Sequence, residues 1–389
     1  MERDLISKTT SSDFFTKEGL KKLAGINDNI DYVMVIIKEL VDNSLDEVEQ
    51  KENGIIEVTI CEKLCVWEIK IKDNGRGIPE KNIDNLINLT KDSRYSTKRE
   101  YISPTRGCQG NAMKTIIGIP CALGIENNQI NIIAQGIKHQ INAVIYPNNS
   151  VEIVNNKIIV GDTIGTEIIV NIPTNIFYKN YHNIEQNSDN VKRQIIRHLE
   201  AIALFNPHIT LGVKIEEVND KNNHDKLTVS YQKNYPQRVE KIIKRNISSD
   251  IDIHWYSRID FEKLAWGLIH EHPEKLLYKS SNKSNAPTFL GIFEKLSSRA
   301  KQTSVLGDYA NHFKKMGDFK NLSIEEVNFI LGEIYSNAKD ETKPLKSSCL
   351  GCVGDYLKHE YSESYYKKIN IGEDFIFEVF ICKADNQFV

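Results

Sequence analysis

The sequence predicts an α+β protein with roughly two to three domains. Apolar residues recur at helical spacing over residues 29–50, which predicts an amphipathic helix. Several later runs alternate between apolar and polar residues and are separated by turn residues, which predicts strands. The length of 389 residues exceeds that of one usual domain. We therefore expect helices packed on a largely antiparallel or mixed sheet, followed by further domains.

The composition excludes several broad classes of protein. Hydrophobic residues make up 40% of the chain and charged residues 26%, which is enough apolar material for a core. The net charge of -3 excludes a strongly basic coat for nucleic acid, although it leaves a local basic face open. We find no run as long as a membrane span and no secretory signal at the start. With seven scattered cysteines, these features lead us to expect a cytoplasmic protein, or a nuclear one if eukaryotic, with no membrane partner.

Three regions follow one another along the chain. Residues 1–235 contain three predicted helices, near 29–50, at the end of the loop-and-helix segment 107–118, and near 187–205. Their strand-like runs are 55–60, 66–72, 129–135, 140–146, 151–160, 166–172, 209–215 and 226–232. Residues 236–345 turn helical in the segments 238–245, 258–271, 286–300, 305–317 and 323–338. Residues 346–389 become mixed and close with the strand-like run 374–382. This last strand has little sequence left to pair with, so we expect a third domain that begins and is cut short.

The first long helix carries an acid and an amide one turn apart. Glu39 and Asn43 project from one face because residues four apart are neighbours on a helix. We expect Leu40, Ser44 and Val48 to face the sheet while the acid and the amide face a cavity. The carboxylate can deprotonate a water molecule, and the amide oxygen suits Mg²⁺, which prefers oxygen ligands. Taken alone, the spacing is more often that of a polar helix face exposed to solvent.

Two glycine-containing loops come next. Asp73 ends a predicted strand and opens the heptapeptide DNGRGIP, in which Gly75 and Gly77 let the backbone come close to a flat ligand. A carboxylate there can accept a hydrogen bond from an exocyclic amine such as that of adenine. The second loop, GCQGNAMK over 107–114, runs into a helix start and predicts an anion site to which Lys114 adds a charge. Either loop alone is also typical of an ordinary turn.

A fourth segment, GTEI over 165–168, precedes a strand and places Thr166 within reach of a base through a water molecule. Alone it is uninformative, but the four segments in this order and spacing resemble the nucleotide-binding boxes of the GHKL ATPases. That superfamily includes gyrase, Hsp90-type chaperones, histidine kinases and MutL. KELVDNSLDE resembles the N-box, and DNGRGIP, RGCQGNAMK and GTEI resemble the three glycine boxes.

Within the superfamily, the sequence is most similar to the B-type ATPase subunit of DNA topoisomerase VI. The similarity is strong over 13–118, where DSRY and the boxes match, and looser over 255–357. The resemblance implies three domains: a GHKL (Bergerat) ATP-binding α/β sandwich over 1–235 with an N-terminal strap over 1–12, a helix-two-turn-helix-like domain over 236–345, and the truncated beginning of a transducer-like domain over 346–389.

The resemblance also implies roles for individual residues. Glu39 would be the general base for the attack of water on the γ-phosphate, Asn43 would hold Mg²⁺, and Asp73 would bind adenine. Gly77 would shape the floor of the adenine pocket, and Thr166 would support it. The other nucleotide-binding residues would be Gly75, Ser93, Arg94 and, in a lid over the phosphates, Gly107, Cys108, Gln109, Gly110, Asn111, Ala112, Met113 and Lys114.

Two departures from the family pattern concern turnover. The third glycine of the lid loop is Ala112, preceded by Asn111, and alanine does not easily take a positive φ, so we expect the lid to close differently. The switch lysine of the family lies deeper in the transducer, and Lys383 is near that region but sits in no matching motif. ATP binding is therefore better supported than full ATP turnover.

The resemblance implies the ATP-binding and hydrolysing subunit of a type IIB topoisomerase, associated with the nucleoid. ATP would drive homodimerisation through the ATPase domain, and the dimer would gate the passage of one DNA duplex through another. A separate A-like subunit would cleave the double-stranded DNA. Two alternatives stay open: a nucleotide-bound dimerising scaffold with little turnover, and a stand-alone GHKL ATPase in a DNA-related or defence system. The basic groups near 192–197 and 238–245 can meet DNA phosphates, although charged solvated faces are the commoner case.

Overall fold

The structure is a computed structural model that describes the chain in segments separated by gaps. The described residues are 11–27, 29–49, 51–63, 65–87, 112–125, 129–146, 150–177, 184–218, 227–239, 251–279, 281, 286–344, 364–371 and 375–382. They fall into two units, whose described residues lie within 11–239 and 251–382.

One eight-stranded mixed sheet forms the frame of the first unit. Its strands are β1 (Gly54–Glu62), β2 (Val66–Asp73), β3 (Ile130–Ala134), β4 (Ile137–Ile145), β5 (Val151–Ile159), β6 (Thr166–Pro173), β7 (Ile209–Val218) and β8 (Leu227–Tyr235). The strand order is β5-β4-β3-β6-β2-β1-β7-β8. β1 and β7 run parallel, and the other neighbouring pairs are antiparallel. The α+β class with a mixed sheet is thus confirmed.

The helices of the first unit are α1 (Lys17–Ala24), α2 (Asn29–Val48), α3 (Glu80–Ile87), α4 (Ala112–Ala122) and α5 (Ile184–Phe205). The sequence predicts α2, α4 and α5, but the stretch containing α3 has the pattern of a polar connection. Helix α3 is held mainly by Ile83, which is buried among core residues from distant parts of the chain. The ammonium group of Lys157 on β5 lies 2.8 Å from Glu80 and 3.1 Å from Asp84 and adds a weaker, exposed partner. Such a partner leaves no local signal in the sequence.

The core of the first unit lies between one face of the sheet and α2, α4 and α5. Side chains alternate along β1, so that Ile56, Val58 and Ile60 are buried while Ile55 and Glu57 are exposed. The stripe predicted on α2 is buried in full; its members are Val33, Ile37, Leu40, Ser44 and Val48. Each large apolar side chain that leaves water in this way contributes about 1.5–3 kcal/mol.

A buried lysine ties α5 to the sheet. The ammonium group of Lys192 lies 2.5 Å from a Glu62 oxygen and 2.6 Å from a Glu217 oxygen, and its side chain is 11% exposed. Partial burial lowers the pKa of Lys192, but its bonds and charge interactions with the two carboxylates outweigh that effect and raise the pKa overall. Lys192 is therefore committed to the core and unavailable to DNA phosphates, which corrects its place in the basic group near 192–197.

In the second unit, the described helices are α6 (Arg258–Glu271), α7 (Arg299–Leu306) and α8 (Ile324–Glu341). Each begins after a serine whose hydroxyl accepts a backbone N–H of the first turn: Ser257, Ser298 and Ser323. The helices predicted over 258–271 and 323–338 are confirmed, while residues 240–245 of the segment 238–245 lie outside the described residues. No helix in the described part of the chain is long and apolar enough to span a bilayer.

The predictions of helices over 286–300 and 305–317 are largely wrong. Residues 286–298 are irregular except for a 3-10 turn at Leu290–Ile292, and a 3-10 helix at Gly307–Asn311 follows α7. The buried side chain of Gln302 stabilises the irregular conformation near Leu296. It accepts from the Lys279 N–H at 2.8 Å and donates to the Leu296 carbonyl at 2.7 Å.

The closing strand has a partner, contrary to expectation. β9 (Ser364–Ile371) and β10 (Phe375–Cys382) form an antiparallel hairpin in which Phe375 pairs with Ile371 and Cys382 with Ser364. The sequence SYYKKINI of β9 gives a weak strand signal because its two central lysines interrupt the apolar pattern. A two-stranded hairpin is only marginally stable by itself.

We predict that Gly118→Ala destabilises the first unit. Gly118 lies in the buried helix α4, and a Cβ atom there would overlap the carbonyl oxygen of Phe14. Overpacking of this kind costs about 1–3 kcal/mol, more than alanine gains as a helix former. Urea unfolding measures the change. Gly212→Ala is the matched control because its Cβ would meet no atom closer than 3.8 Å, and equal midpoints for the two variants would contradict the close packing.

Candidate functional site

A buried carboxylate joins three of the four predicted segments. Asp73 ends β2, is 4% exposed, and accepts backbone N–H groups from Gly75 at 2.7 Å and Thr166 at 3.2 Å on its Oδ1 atom. Its Oδ2 atom accepts the hydroxyl of Ser44, on α2, at 3.3 Å. The N-box helix, the first glycine loop and the start of β6 therefore meet at one side chain.

Two effects act on the protonation of Asp73. Burial raises its pKa, and the charge of Glu47 acts in the same direction. The hydrogen bonds from Gly75, Thr166 and Ser44 oppose this, but the net direction is upward. A desolvated carboxylate with strong remaining acceptor capacity suits a ligand that brings a hydrogen-bond donor.

Glycine is required at three positions beside Asp73, either because a Cβ atom would not fit or because the backbone has a positive φ. Gly77 has a φ of +77°, and a Cβ there would lie 2.9 Å from the Gly165 carbonyl oxygen. Gly165 has a φ of +72°, and its Cβ would overlap the Asp73 carbonyl oxygen. Gly75 does not have a positive φ; it is required for space, because its Cβ would lie 2.8 Å from both Asp73 Oδ1 and Glu47 Cβ.

The hydroxyl of Thr166 is an unsatisfied polar atom next to this carboxylate. Thr166 is buried, and its Oγ1 atom has no hydrogen-bond partner among the described residues. An unpaired buried hydroxyl is costly, so such atoms usually receive a water or a ligand. The acceptor at Asp73 and the open hydroxyl at Thr166 together fit a flat, polar base.

Three residues that the sequence motifs do not single out hold the loop in place. The Asn74 side chain accepts from the Ile55 N–H at 2.9 Å and donates to the Asn53 carbonyl at 2.8 Å, and the ammonium group of Lys51 donates to the Asn74 carbonyl. Gln135, in the β3–β4 turn, has a φ of +47° and donates to the Gly77 carbonyl at 3.5 Å. All of these bonds go to backbone atoms, so the identity of the residues at the other end gives no hint of them in the sequence. The one hint is the Gln135-Gly136 pair, which is typical of a turn.

The acid and the amide of the N-box lie on the partly exposed side of α2. The Glu39 side chain is 32% exposed, and its Oε1 atom lies 3.0 Å from the ammonium group of Lys38. Asn43 is exposed and directly precedes Ser44, which contacts Asp73. Their predicted roles as base and metal ligand stay predictions.

The lid is described only from its last three predicted residues onward. Ser93, Arg94 and residues 107–111 lie outside the described residues, as do Lys383 and the first ten residues of the strap. Ala112 begins α4, and the expectation that the lid closes differently concerns residues outside the described part of the chain. Met113 and Lys114 are buried within α4.

A concavity of 530 Å³ lies away from Asp73, on the face of the sheet opposite the helices, and is lined mainly by β1, β7 and β8. Its charged residues alternate in sign across the strands, because Lys72 pairs in register with Glu57 on one side and Glu167 on the other. Alternating cross-strand charges are typical of a solvated sheet face. The arrangement around Asp73 is the stronger candidate for a site.

Comparisons with known proteins agree with the geometry in one respect. Residues 28–110 match the family model described as histidine kinase-, DNA gyrase B- and HSP90-like ATPase. A solved structure described as the N-terminal domain of a DNA repair protein is similar at 18% identity, with a TM-score of 0.31. That similarity covers 54% of this chain and 53% of the other, so the chain spans about half the length of its match. No curated protein matches the sequence.

We predict that Asp73→Asn makes the chain at least as stable as the wild type at pH 7. The raised pKa of Asp73 means that its ionisation costs folding free energy, and asparagine keeps acceptor capacity without that cost. The variant's advantage should vanish below the unfolded-state pKa of about 3.9 and grow as the pH rises through the folded-state value. Urea unfolding at several pH values measures this, with exposed Asp308→Asn as control. A disadvantage that grows with pH would contradict the raised pKa.

Proposed function

We propose that this chain, whose residues 28–110 carry a GHKL-type ATPase domain, binds and hydrolyses ATP at the site around Asp73. The observation that carries the proposal is the buried Asp73 carboxylate, bonded to Ser44 of α2 and to the backbone of Gly75 and Thr166. This contact network joins three of the four segments that resemble the nucleotide-binding boxes.

Adenine would be recognised at the buried end of the site. The exocyclic amine of the base would donate to Asp73, and the Thr166 hydroxyl would gain its missing partner from the ring or from a bridging water. The left-handed backbone at Gly77 would leave room for the flat ring. Burial, an oriented acceptor and an open hydroxyl supply base recognition without further movement of the strands.

The triphosphate and Mg²⁺ would extend along α2 toward Glu39 and Asn43. The donor set fits Mg²⁺ in its chemistry, since the metal takes few protein oxygens and keeps waters and phosphate oxygens, and Asn43 presents an exposed amide oxygen. When bound, the ion neutralises phosphate charge. The lid residues Gly107 to Lys114 and the pair Ser93 and Arg94 would close on the phosphates.

Glu39 would act as the general base. Its carboxylate would take a proton from a water molecule as the water oxygen bonds to the terminal phosphorus. The bond from that phosphorus to its bridging oxygen would break at the same time, leaving the electron pair on ADP. The partial exposure of Glu39 is compatible with access for the attacking water.

At the level of the whole protein, we propose the B-type subunit of a topoisomerase VI-like complex. ATP would drive homodimerisation, an A-like subunit would cleave double-stranded DNA, and residues 236–345 and 346–389 would serve as helix-two-turn-helix-like and transducer-like domains. The sequence similarity over 13–118 and 255–357 supports this. Co-purification from the host tests the partner. Recovery without any DNA-cleaving subunit would favour a stand-alone ATPase.

We predict that Asp73→Asn weakens ATP binding by about tenfold or more, because the amide replaces a charged acceptor opposite the adenine amine. Isothermal titration calorimetry with a non-hydrolysable analogue measures the affinity. Asp308→Asn, an exposed carboxylate in the second unit, is the matched control. An unchanged affinity in the Asp73 variant would count against the adenine assignment.

We predict that Glu39→Ala spares ATP binding but lowers hydrolysis by about 100-fold or more, because the base is lost while the pocket remains. Phosphate release and calorimetry measure the two properties separately, with exposed Glu271→Ala as control. Retained turnover in the Glu39 variant would contradict the base assignment. A wild-type chain that binds ATP and dimerises without any hydrolysis would favour the scaffold.

A further inference from the structure

A lysine bridges the proposed base and a second acid on α2. The ammonium group of Lys38 lies 3.0 Å from Glu39 Oε1 and 3.1 Å from Asp42 Oδ2. The Lys38 side chain is 53% exposed, while those of Glu39 and Asp42 are 32% and 27% exposed. One cation therefore connects the two carboxylates on the partly exposed side of α2.

This bridge has little to do with the stability of the helix. Consecutive residues on a helix do not face each other, so Lys38 has to turn back to reach Glu39. Lys38 and Asp42 are four residues apart, which is the right spacing for a helical ion pair. However, the pair is weaker when the lysine precedes the acidic residue, as it does here. Exposed ion pairs contribute little in general, and α2 is already held by its buried stripe.

The surroundings keep the bridge charged. Partial burial lowers the pKa of Lys38, but its bonds and charge interactions with Glu39 and Asp42 outweigh that effect, and the pKa is raised overall. His198 of α5 interacts electrostatically with both Lys38 and Asp42, so it lies within range of the charges of this cluster. The ammonium group stays protonated at neutral pH and holds one oxygen of Glu39.

We propose that Lys38 is a positioning residue for Glu39, anchored in turn by Asp42. A free glutamate samples many rotamers, whereas a carboxylate held at Oε1 presents its other oxygen in a restricted set of directions. Such restriction helps proton abstraction without changing nucleotide affinity. The proposal rests on the proposed function, in which Glu39 takes the proton from water.

Substitution of Lys38 in the full chain tests this role through separate kinetic and binding readouts. In Lys38→Met, we expect kcat to fall about tenfold while the Kd for a non-hydrolysable ATP analogue changes by less than about twofold. Lys38→Arg should restore most of kcat, and Asp42→Asn should give a smaller loss. Lys263→Met is the matched control, because Lys263 pairs with Asp260 at 3.4 Å on an exposed face of α6.

A second readout needs no turnover. The ¹³C resonance of the Glu39 carboxyl, assigned by its loss in Glu39→Gln, should shift in unliganded Lys38→Met and stay in place in Lys263→Met. An unshifted resonance, an unchanged kcat, or a parallel loss of affinity and kcat in Lys38→Met would overturn the proposal. Turnover retained by Glu39→Gln would instead overturn the base assignment from which the proposal starts.

Discussion

The hydrogen bond between Ser44 and the buried Asp73 carboxylate connects helix α2 to the sheet at the candidate site. It works only because the apolar stripe of α2 packs on β1, β2 and β6 and brings Ser44 to the end of β2. Asp73 then binds the first glycine loop and the start of β6 through backbone N–H groups. The packing of the core therefore determines the geometry of the site. Each glycine beside Asp73 is needed because nearby backbone or side-chain atoms leave no room for a Cβ atom.

The unliganded site contains two unfavourable polar groups, and a ligand that bonded to them would stabilise the folded chain. Asp73 is desolvated and its pKa is raised, and the Thr166 hydroxyl has no partner in the described structure. Both features cost stability in the unliganded chain and match the donors and acceptors of an adenine ring. By contrast, the buried Lys192 is fully compensated by Glu62 and Glu217, as expected for a structural ion pair. This difference is one reason why we propose Asp73, and not Lys192, as a ligand-binding residue.

Much of the fold can be predicted from the local periodicity of apolar residues. The elements that depend on long-range contacts cannot be predicted in this way. Helix α2 and the strands of the large sheet have patterns set by their own burial, so the sequence predicts them. Helix α3 packs Ile83 against a core built from distant elements, and the loops at 286–298 bond to the buried Gln302 side chain, so the sequence pattern predicts neither. At the site, Asp73, Gly77 and Thr166 lie in recognisable motifs. The role of Asn74, which lies in the first glycine loop, and that of Lys51, which lies in no motif, depend on bonds to backbone atoms that the sequence does not reveal.

The central claim is that the Asp73 carboxylate accepts a hydrogen bond from the exocyclic amine of adenine. Calorimetric titration of the wild-type chain with ADP and, separately, with GDP tests it most directly. Guanine presents a carbonyl oxygen where adenine presents the amine, and that oxygen would face a buried carboxylate. The account predicts measurable ADP binding and GDP binding weaker by about tenfold or more. Equal affinities for the two nucleotides, or no binding of either, would contradict it.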